Sequence, residues 1–261
     1  MRPLLTAVKF SLKEQLNNRF ALGLLVLFVP VWYWLLGAMT PSAAVPFRFA
    51  ATNSFIQING HHLIFLTAGI NVLSLILGFM FFHSARRSLA FDQRLTRAGL
   101  NRAQFMAAKV IALAITTAAL SLYTMLVLLA YWHSPVNIVE VWLSFWLVSL
   151  LYGSFGLLLG VVLNSELAGF FIVIMLSQVD VFLQIPIDNP AANQSYLHLL
   201  PSYGAVQLTT AGAFTHVFPM RQFLLSLSWI AGFLGLALVA FYLRTRYKSS
   251  LQRVQALSTK P

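Results

Sequence analysis

The sequence predicts an all-α membrane protein with six transmembrane helices, and three observations lead to this class. The 261 residues are 59% hydrophobic and 9% charged, whereas a soluble domain carries roughly a quarter charged residues. Six segments contain the roughly 20 mostly apolar residues that a helix needs to cross the hydrocarbon core of a bilayer. The basic residues cluster beside alternate spans, as they do in multi-pass membrane proteins.

The spans are predicted, in chain order, at 20–39, 61–82, 110–132, 141–163, 167–187 and 222–243. Four basic residues lie in 1–19, six in 83–109 and five in the basic tail 244–261, which makes fifteen of the seventeen. The segments on the opposite side of the membrane hold only Arg48 and Arg221. Because basic residues are enriched in cytoplasmic loops, we expect both termini to be cytoplasmic in a multi-pass protein of the cell membrane. These flanks explain the net charge of +11, so nucleic acid is not expected as a partner.

The first nineteen residues have a helical pattern of their own. Lys9 and Lys13 fall on other faces than a set of regularly spaced apolar residues, which are Leu5, Val8, Leu12, Leu16 and Phe20. This pattern predicts a basic amphipathic helix over 1–19 that lies in the membrane interface. An ordinary positively charged flank of the first span is the alternative.

The segment RRSLAFDQRLTRAGLNRAQFMAAK at 86–109 is the most highly charged part of the chain. Ser88 is suited to cap a short helix, and Gly99 suits the left-handed residue that ends it. Asn101 then caps a second helix that leads into the third span. One face of the first helix carries the apolar residues Phe91, Leu95 and Ala98. We therefore expect 83–109 to be a structured loop whose apolar face contacts a partner, the protein's own helix ends or anionic lipid.

The sequence predicts no catalytic, cofactor-binding or metal site, and it does not favour an enzyme. No lysine follows a glycine, so the phosphate-binding pattern G-x-x-x-x-G-K-[ST] is absent. The patterns H-E-x-x-H and G-x-S-x-G are absent too, and the six acidic residues are scattered. His61 and His62 are adjacent, which directs their side chains to diverging faces of a helix.

The stretch FDQRLTRAGLNRAQFMAAKVIA at 91–112 resembles the segment between the second and third spans of ABC-2 type transporter permeases. The positions that carry the resemblance are Asp92, Arg94, Leu95, Ala98, Gly99, Arg102 and Lys109. Many members have Glu where this chain has Asp92 or Gln93, and a Ser-Pro or Thr-Pro turn where it has Ala98-Gly99. The layout of an interfacial helix, six spans and internal termini agrees with the family over the whole chain.

The resemblance implies the permease subunit of an ATP-driven exporter. In that family the loop between spans two and three contains a coupling helix, which docks on a separate ATP-binding subunit that holds ATP and Mg. Two permease subunits, identical or different, pair above two such subunits and contact membrane lipid. The residues implied to couple to the ATPase are Phe91, Asp92, Arg94, Leu95, Arg97 and Arg102. The apolar composition favours an amphipathic or hydrophobic substrate such as a drug, lipid or peptide, as in multidrug efflux.

The segment 188–221 is too apolar for an ordinary solvated loop, and its apolar patches are too short to cross a bilayer. Its prolines and glycines predict two short outer helices that are interrupted at Pro201. The resemblance implies that such a pair is re-entrant and lines the outer exit, with Pro201 and Tyr203 at an outer gate. A plain extracellular loop is the alternative.

Asp180 is the one acidic residue deep within a predicted span, and Ser177 and Gln184 share its helical face. Ionisable groups in membranes usually face the helix bundle or a water-filled path. These three residues therefore line a translocation path at the seam between permease subunits, or anchor the fifth span through hydrogen bonds to Arg221 or a neighbouring helix. An ion-coupled secondary transporter would use Asp180 to carry a proton, and a membrane scaffold would use only the 83–109 loop. In the fourth span, Gly156 and Gly160 are expected to mark close helix packing.

Overall fold

The computed structural model describes residues 2–17, 19–40, 42–97, 102–133, 135–187 and 189–258. Within these ranges it describes the side chains of all residues except 2–3, 20–21, 90, 95–97, 102 and 245–258.

The described residues form helices, one β-hairpin and one short 3₁₀-helix. In chain order the elements are α1 (Arg2–Leu16), α2 (Arg19–Met39), β1 (Ala44–Phe49), β2 (Ser54–Asn59), α3 (Gly60–Arg97), α4 (Arg102–Tyr131), α5 (Ile138–Val162), α6 (Glu166–Phe182), the 3₁₀-helix (Ser195–Leu199), α7 (Tyr203–Phe214) and α8 (Met220–Ser258).

Among the described residues, five helices are long and apolar enough to cross a membrane: α2, α3, α4, α5 and α8. The prediction of a helical, multi-pass membrane protein is thereby confirmed. Helix α6 has only 17 residues, which gives a length of about 25 Å against a hydrocarbon core of about 30 Å. The predicted fifth span thus begins as a helix near its expected start but ends at Phe182 instead of 187.

The largest correction concerns the loop between the second and third spans. Helix α3 does not end at 82 but continues without interruption to Arg97, a run of 38 residues. Ser88 lies inside this helix and therefore does not cap a separate one. The predicted turn at Ala98-Gly99 and the cap at Asn101 lie outside the described residues, and α4 begins at Arg102. At the other end of the chain, the predicted tail from 244 is a helical continuation of α8.

A β-hairpin, which the sequence analysis did not predict, connects α2 to α3. Strands β1 and β2 pair antiparallel, with Phe47 opposite Ile56 and Phe49 opposite Ser54. The turn contains Asn53 at φ 52°, a left-handed conformation that asparagine tolerates better than most residues. Apolar residues alternate along both strands and bury one face. That alternation is the signal that could have revealed the hairpin.

The core of the molecule is the contact between α3 and α5, the most extensive helix pair among the described residues. A Cβ atom on Gly156 would lie 2.3 Å from the carbonyl oxygen of Gly78, and one on Gly160 would lie 2.6 Å from that of Phe82. Both distances are shorter than any real contact, so only glycine permits this approach of two backbones. The interpretation of Gly156 and Gly160 as close-packing residues is confirmed.

Polar contacts place each helix end at one of two ends of the molecule. We call one the basic end, which comprises α1, residues 83–97, residues 102–109 and Arg244. We call the other the hairpin end, which comprises the hairpin, the 3₁₀-helix and the first turns of α7 and α8. Helix α7 is buried along 204–213 between α5 and α8, close to the hairpin end.

Helix α2 contains Pro30, which has no backbone N–H and so leaves the carbonyl of Val26 without its helical partner. The hydroxyl of Tyr123 on α4 donates to that carbonyl at 2.8 Å. A second tyrosine, Tyr131, donates to the carbonyl of Pro30 itself at 2.9 Å. Unpaired backbone groups are costly in lipid, so the proline and the two tyrosines together attach α2 to α4.

This arrangement predicts a specific dependence of Tyr123 on Pro30. Tyr123→Phe should lower the free energy of unfolding by about 0.5–1.5 kcal/mol, the range of hydrogen bonds between membrane helices. In the Pro30→Ala background the loss should shrink, because the alanine N–H satisfies the Val26 carbonyl. Denaturation in mixed micelles measures both differences, and an equal loss in the two backgrounds would refute this account of the Tyr123 bond.

Candidate functional site

At the basic end, the tip of α3 is joined to the start of α4 by a buried ion pair. Lys109 pairs with Asp92 and also donates to the hydroxyl of Ser88 at 2.7 Å. The Ser88 hydroxyl in turn lies 3.1 Å from the Asp92 carboxylate. Asp92 is only 2% exposed, and burial raises its pKa, an effect that Lys109 partly offsets. The three side chains fix the two helix ends relative to each other.

The side chains that the family resemblance implies for docking therefore differ in their exposure. Phe91 is 61% exposed, and Arg94 is exposed beside it. Asp92 is buried and pairs with Lys109, so it positions the tip of α3. A contact between Asp92 and a partner subunit stays a prediction. The resemblance also implies docking by Leu95, Arg97 and Arg102, whose side chains lie outside those that the structure describes.

Helix α1 forms as predicted, and one side of it packs on α4. Its buried residues are Val8, Ser11 and Gln15, whereas Leu5 and Leu16 are exposed. The buried face is polar because Gln15 accepts a hydrogen bond from Thr116 of α4. Leu5, Leu16 and Phe10 are exposed apolar side chains.

A groove of about 870 Å³ lies between α1 and the tip of α3. Phe10 and Lys13 line it from α1, and Arg87 and Phe91 line it from α3. Glu14 also lines the groove and accepts a hydrogen bond from Ser84 of α3 at 3.1 Å. Burial raises the pKa of Glu14, and Lys109 opposes part of that effect.

Two arginines close the end of α5 at the same end of the molecule. Arg86 of α3 donates to the carbonyl of Leu163 at 2.8 Å and also bonds the carbonyl of Asn164. Arg244 of α8 donates to the carbonyl of Val162 at 2.9 Å and to the Asn164 side chain at 2.7 Å. Cations stabilise the negative end of a helix and satisfy its free carbonyls. The arginines join α3, α5 and α8, a role that their charge alone did not reveal.

Asp180 lies at the centre of a buried hydrogen-bond cluster near the hairpin end. Its carboxylate accepts from the hydroxyl of Tyr152 on α5, from Gln184 Nε2 at 3.0 Å and from the backbone N–H of Ser202 at 3.0 Å. Gln184 Nε2 also lies 2.8 Å from the Ser202 hydroxyl. Ser177, one helical turn earlier, is buried as well.

The cluster connects α6 to α5 and to the segment that precedes α7. These contacts are those of a structural anchor, one of the two interpretations of Asp180, although the partners are Tyr152 and Ser202 rather than Arg221. A role for Ser177, Asp180 and Gln184 in a translocation path stays a prediction.

A cavity of about 480 Å³ opens at the hairpin end, beside this cluster. Arg48 from β1, Tyr203 from α7 and Arg221 from α8 line it, together with Gln184. Burial raises the pKa of Tyr203, and the nearby Arg48 and Arg221 oppose part of that effect. Both guanidinium groups therefore lie near Tyr203 and place positive charge at the same cavity.

The wall of the cavity is built by side chains that bond to the hairpin. Buried Gln207 of α7 accepts from the N–H of Ala50 at 3.0 Å and donates to the carbonyl of Arg48 at 3.1 Å. Asn193 accepts from the N–H of Arg48 at 2.9 Å and donates to the carbonyl of Pro46 at 3.1 Å. The hairpin is thus fixed to α7 and to the segment before the 3₁₀-helix.

The structure has short helices on both sides of Pro201, namely the 3₁₀-helix and α7. Tyr203 lines the cavity, whereas Pro201 is half-buried in the turn before α7. The assignment of both residues to an outer gate stays a prediction.

The adjacent histidines make separate contacts in the hairpin region. His61 bonds the carbonyl of Gly37 at 3.0 Å, and His62 stacks on Trp132. Across the part of the chain that the structure describes, no group of three or more His, Asp or Glu side chains is placed to hold a metal ion.

Comparison with known proteins does not assign a family. The chain matches no family model, and no curated protein sequence matches it.

The Asp180 cluster predicts a difference between two substitutions. Asp180→Asn keeps one acceptor oxygen, which can still accept from the hydroxyl of Tyr152 and the N–H of Ser202. We expect a loss of about 1 kcal/mol in the free energy of unfolding and normal assembly. Asp180→Leu leaves buried donors on Tyr152 and Ser202 without an acceptor, at about 1–3 kcal/mol each, so the folded protein should be lost.

Thermal unfolding and size-exclusion profiles in detergent distinguish the two variants. An Asp180→Asn protein that assembles normally but abolishes a flux driven by a pH gradient would contradict the anchor interpretation. It would instead assign a transported proton to Asp180.

Proposed function

We propose that this chain is the membrane-embedded permease subunit of an ATP-driven exporter, and that ATP is bound and hydrolysed with Mg by a separate subunit. The observation that carries the proposal is the tip of α3. The apolar part of α3 ends at Leu89, but the helix continues to Arg97, about 12 Å further along its axis. At this tip Phe91 is exposed while Asp92 is anchored to Lys109.

This tip has the chemistry of a protein-docking surface. An exposed aromatic side chain between arginines is the composition that interfaces favour, and Arg87 and Arg94 are both exposed next to Phe91. The positive charge suits an acidic cleft on the partner subunit. Because α3 is continuous and packed backbone to backbone on α5, a force applied at the tip would reach the core of the membrane domain.

The charge distribution supports a cytoplasmic location for the basic end. Basic flanks mark the cytoplasmic side of membrane proteins, and α1, the tip of α3, the start of α4 and Arg244 lie together at this end. Both chain termini are then cytoplasmic, and the hairpin end is outside the cell membrane. Helix α6, with the apolar turn that follows it, is the fifth of six crossings in this arrangement.

Two such chains, identical or different, would pair above two ATP-binding subunits. Large exposed apolar surfaces on α2, α4, α6 and α8 are available for lipid and for the second permease subunit. The substrate is an amphipathic or hydrophobic molecule such as a drug, lipid or peptide. In this arrangement it leaves near the cavity at the hairpin end, where Pro201 and Tyr203 form the outer gate.

An ion-coupled secondary transporter is less well supported. Such a protein needs a carboxylate that gains and loses a proton during the cycle, and Asp180 is the deeply placed candidate. Its carboxylate is buried and accepts three hydrogen bonds from Tyr152, Gln184 and Ser202. That environment holds the side chain in one position.

The docking surface is tested by two matched substitutions. Phe91 and Phe55 are 61% and 63% exposed, but Phe55 lies on β2 at the opposite end of the molecule. Phe91→Asp should reduce the co-purifying ATP-binding subunit about tenfold or more, because a buried aromatic anchor contributes about 2 kcal/mol or more to an interface. Phe55→Asp should leave the complex intact, and both variants should insert into the membrane normally.

Quantitative mass spectrometry of the tagged chain, purified from native membranes, gives the ratio of the two subunits. Unchanged retention of the ATP-binding subunit in Phe91→Asp, or an equal loss in Phe55→Asp, would remove the tip of α3 as the docking surface.

A further inference from the structure

The cavity at the hairpin end differs in charge from the rest of the membrane domain. Its lining includes Arg48 and Arg221, and none of the described residues that line it is acidic. Among the described residues, the Arg48 side chain bonds neutral acceptors: Asn53 Oδ1 at 2.8 Å, the carbonyl of Asn193 at 3.2 Å and Ser195 Oγ at 3.0 Å. Its positive charge is therefore positioned but not compensated by these partners.

Arg221 adds a second charge and is exposed into the same space. It lies in the first turn of α8, which begins at Met220. The positive end of that helix dipole adds to the charge of the guanidinium group. Asp180 is bonded to the lining residue Gln184, and its two oxygens already accept from Tyr152, Gln184 and Ser202.

Gln184, which lines the cavity, has a buried acceptor with no partner among the described residues. Gln184 is only 3% exposed, and its Oε1 atom has no hydrogen bond. Its amide nitrogen is committed to Asp180 and Ser202, so the amide is held with Oε1 as the free atom. A buried, unpaired acceptor is costly, and a ligand hydroxyl would satisfy it.

Apolar side chains complete the lining. Phe47, Val206, Leu224 and Leu225 all contribute to it, and Leu224 is exposed on the outer surface of α8. A volume of about 480 Å³ is within the usual range for small-molecule sites. The cavity thus combines two cations, one free acceptor and an apolar side that continues onto a membrane helix.

We infer that this cavity binds a phosphate ester whose head group carries a hydroxyl, with Arg48 and Arg221 on the phosphate, Gln184 Oε1 on the hydroxyl and the apolar side chains on an attached hydrocarbon chain. Guanidinium groups match the geometry of phosphate oxygens, and the charge-assisted bonds they form are the stronger kind. The phosphate belongs either to a lipid head group or to a free phosphate compound. This site lies at the opposite end of the molecule from Phe91, and its binding does not require the proposed ATP-driven function.

Binding is tested on the purified full-length chain in a neutral detergent, with no nucleotide and no partner subunit. Dioleoylphosphatidylglycerol supplies a phosphate and free hydroxyls, and dioleoylphosphatidylcholine supplies a phosphate that its own cation neutralises. Native mass spectrometry measures the affinity of each lipid, and thermal unfolding measures stabilisation by inorganic phosphate.

Arg221→Gln is the test variant, because Arg221 has no hydrogen bond or ion pair within the described part of the chain and its loss should not affect folding. Arg19→Gln is the matched control, since Arg19 is an exposed arginine at the start of α2, outside the cavity lining. We expect phosphatidylglycerol to bind about tenfold more tightly than phosphatidylcholine, and Arg221→Gln, but not Arg19→Gln, to lose about tenfold in affinity.

The arms of the experiment separate the two sources of the phosphate. Lipid binding that inorganic phosphate does not displace indicates a head group. Stabilisation by inorganic phosphate alone, abolished in Arg221→Gln, indicates a free phosphate compound, and the site stands in either case. Equal affinity for the two lipids without any phosphate effect, or equal losses in the two arginine variants, would overturn the inference. Because no ATP-binding subunit is present, these outcomes are independent of the docking experiment on Phe91.

Discussion

The backbone contact between α3 and α5 positions the other elements of this membrane domain. Gly156 and Gly160 bring α5 against the carbonyls of Gly78 and Phe82, and no larger residue permits that approach. Helix α5 then presents Tyr152 to Asp180 of α6 and presents its carboxyl end to the arginines of α3 and α8. Since α3 is one helix from the hairpin to Arg97, the same contact joins the hairpin end to the basic end. Mechanical continuity between the two ends is what an ATP-driven permease requires.

A second constraint, the need to pair every backbone polar group in lipid, explains the distribution of polar side chains. Where Pro30 interrupts the hydrogen bonds of α2, Tyr123 supplies the missing donor. Where α5 ends, Arg86 and Arg244 satisfy its carbonyls. The basic residues of this chain thus have two roles, because some bond to helix ends while others, such as Arg94, are exposed. Counting charges identifies the basic end but cannot separate these roles.

The sequence predicted the elements that depend on local patterns and missed those that depend on contacts between distant residues. The long apolar runs predicted five of the membrane helices, and the helical spacing of apolar residues in 1–19 predicted α1. Gln15 of α1 is buried by a bond to Thr116 on α4, a contact that no local pattern reports. The break at Ser88 was wrong because this residue bonds Asp92 and Lys109 within a continuous helix. At the hairpin end, the arginines of the cavity lie 173 positions apart in the sequence, and only the hairpin's bonds to Gln207 and Asn193 bring them together.

The central claim is that the basic end docks an ATP-binding subunit, and the composition of the native complex tests it most directly. The chain would be tagged at the hairpin end, extracted from its own membranes in a mild detergent and weighed intact by native mass spectrometry. Our account predicts an assembly of two permease chains with two copies of a subunit that carries bound nucleotide. A chain that is recovered alone, or with partners that bind no nucleotide, would contradict it.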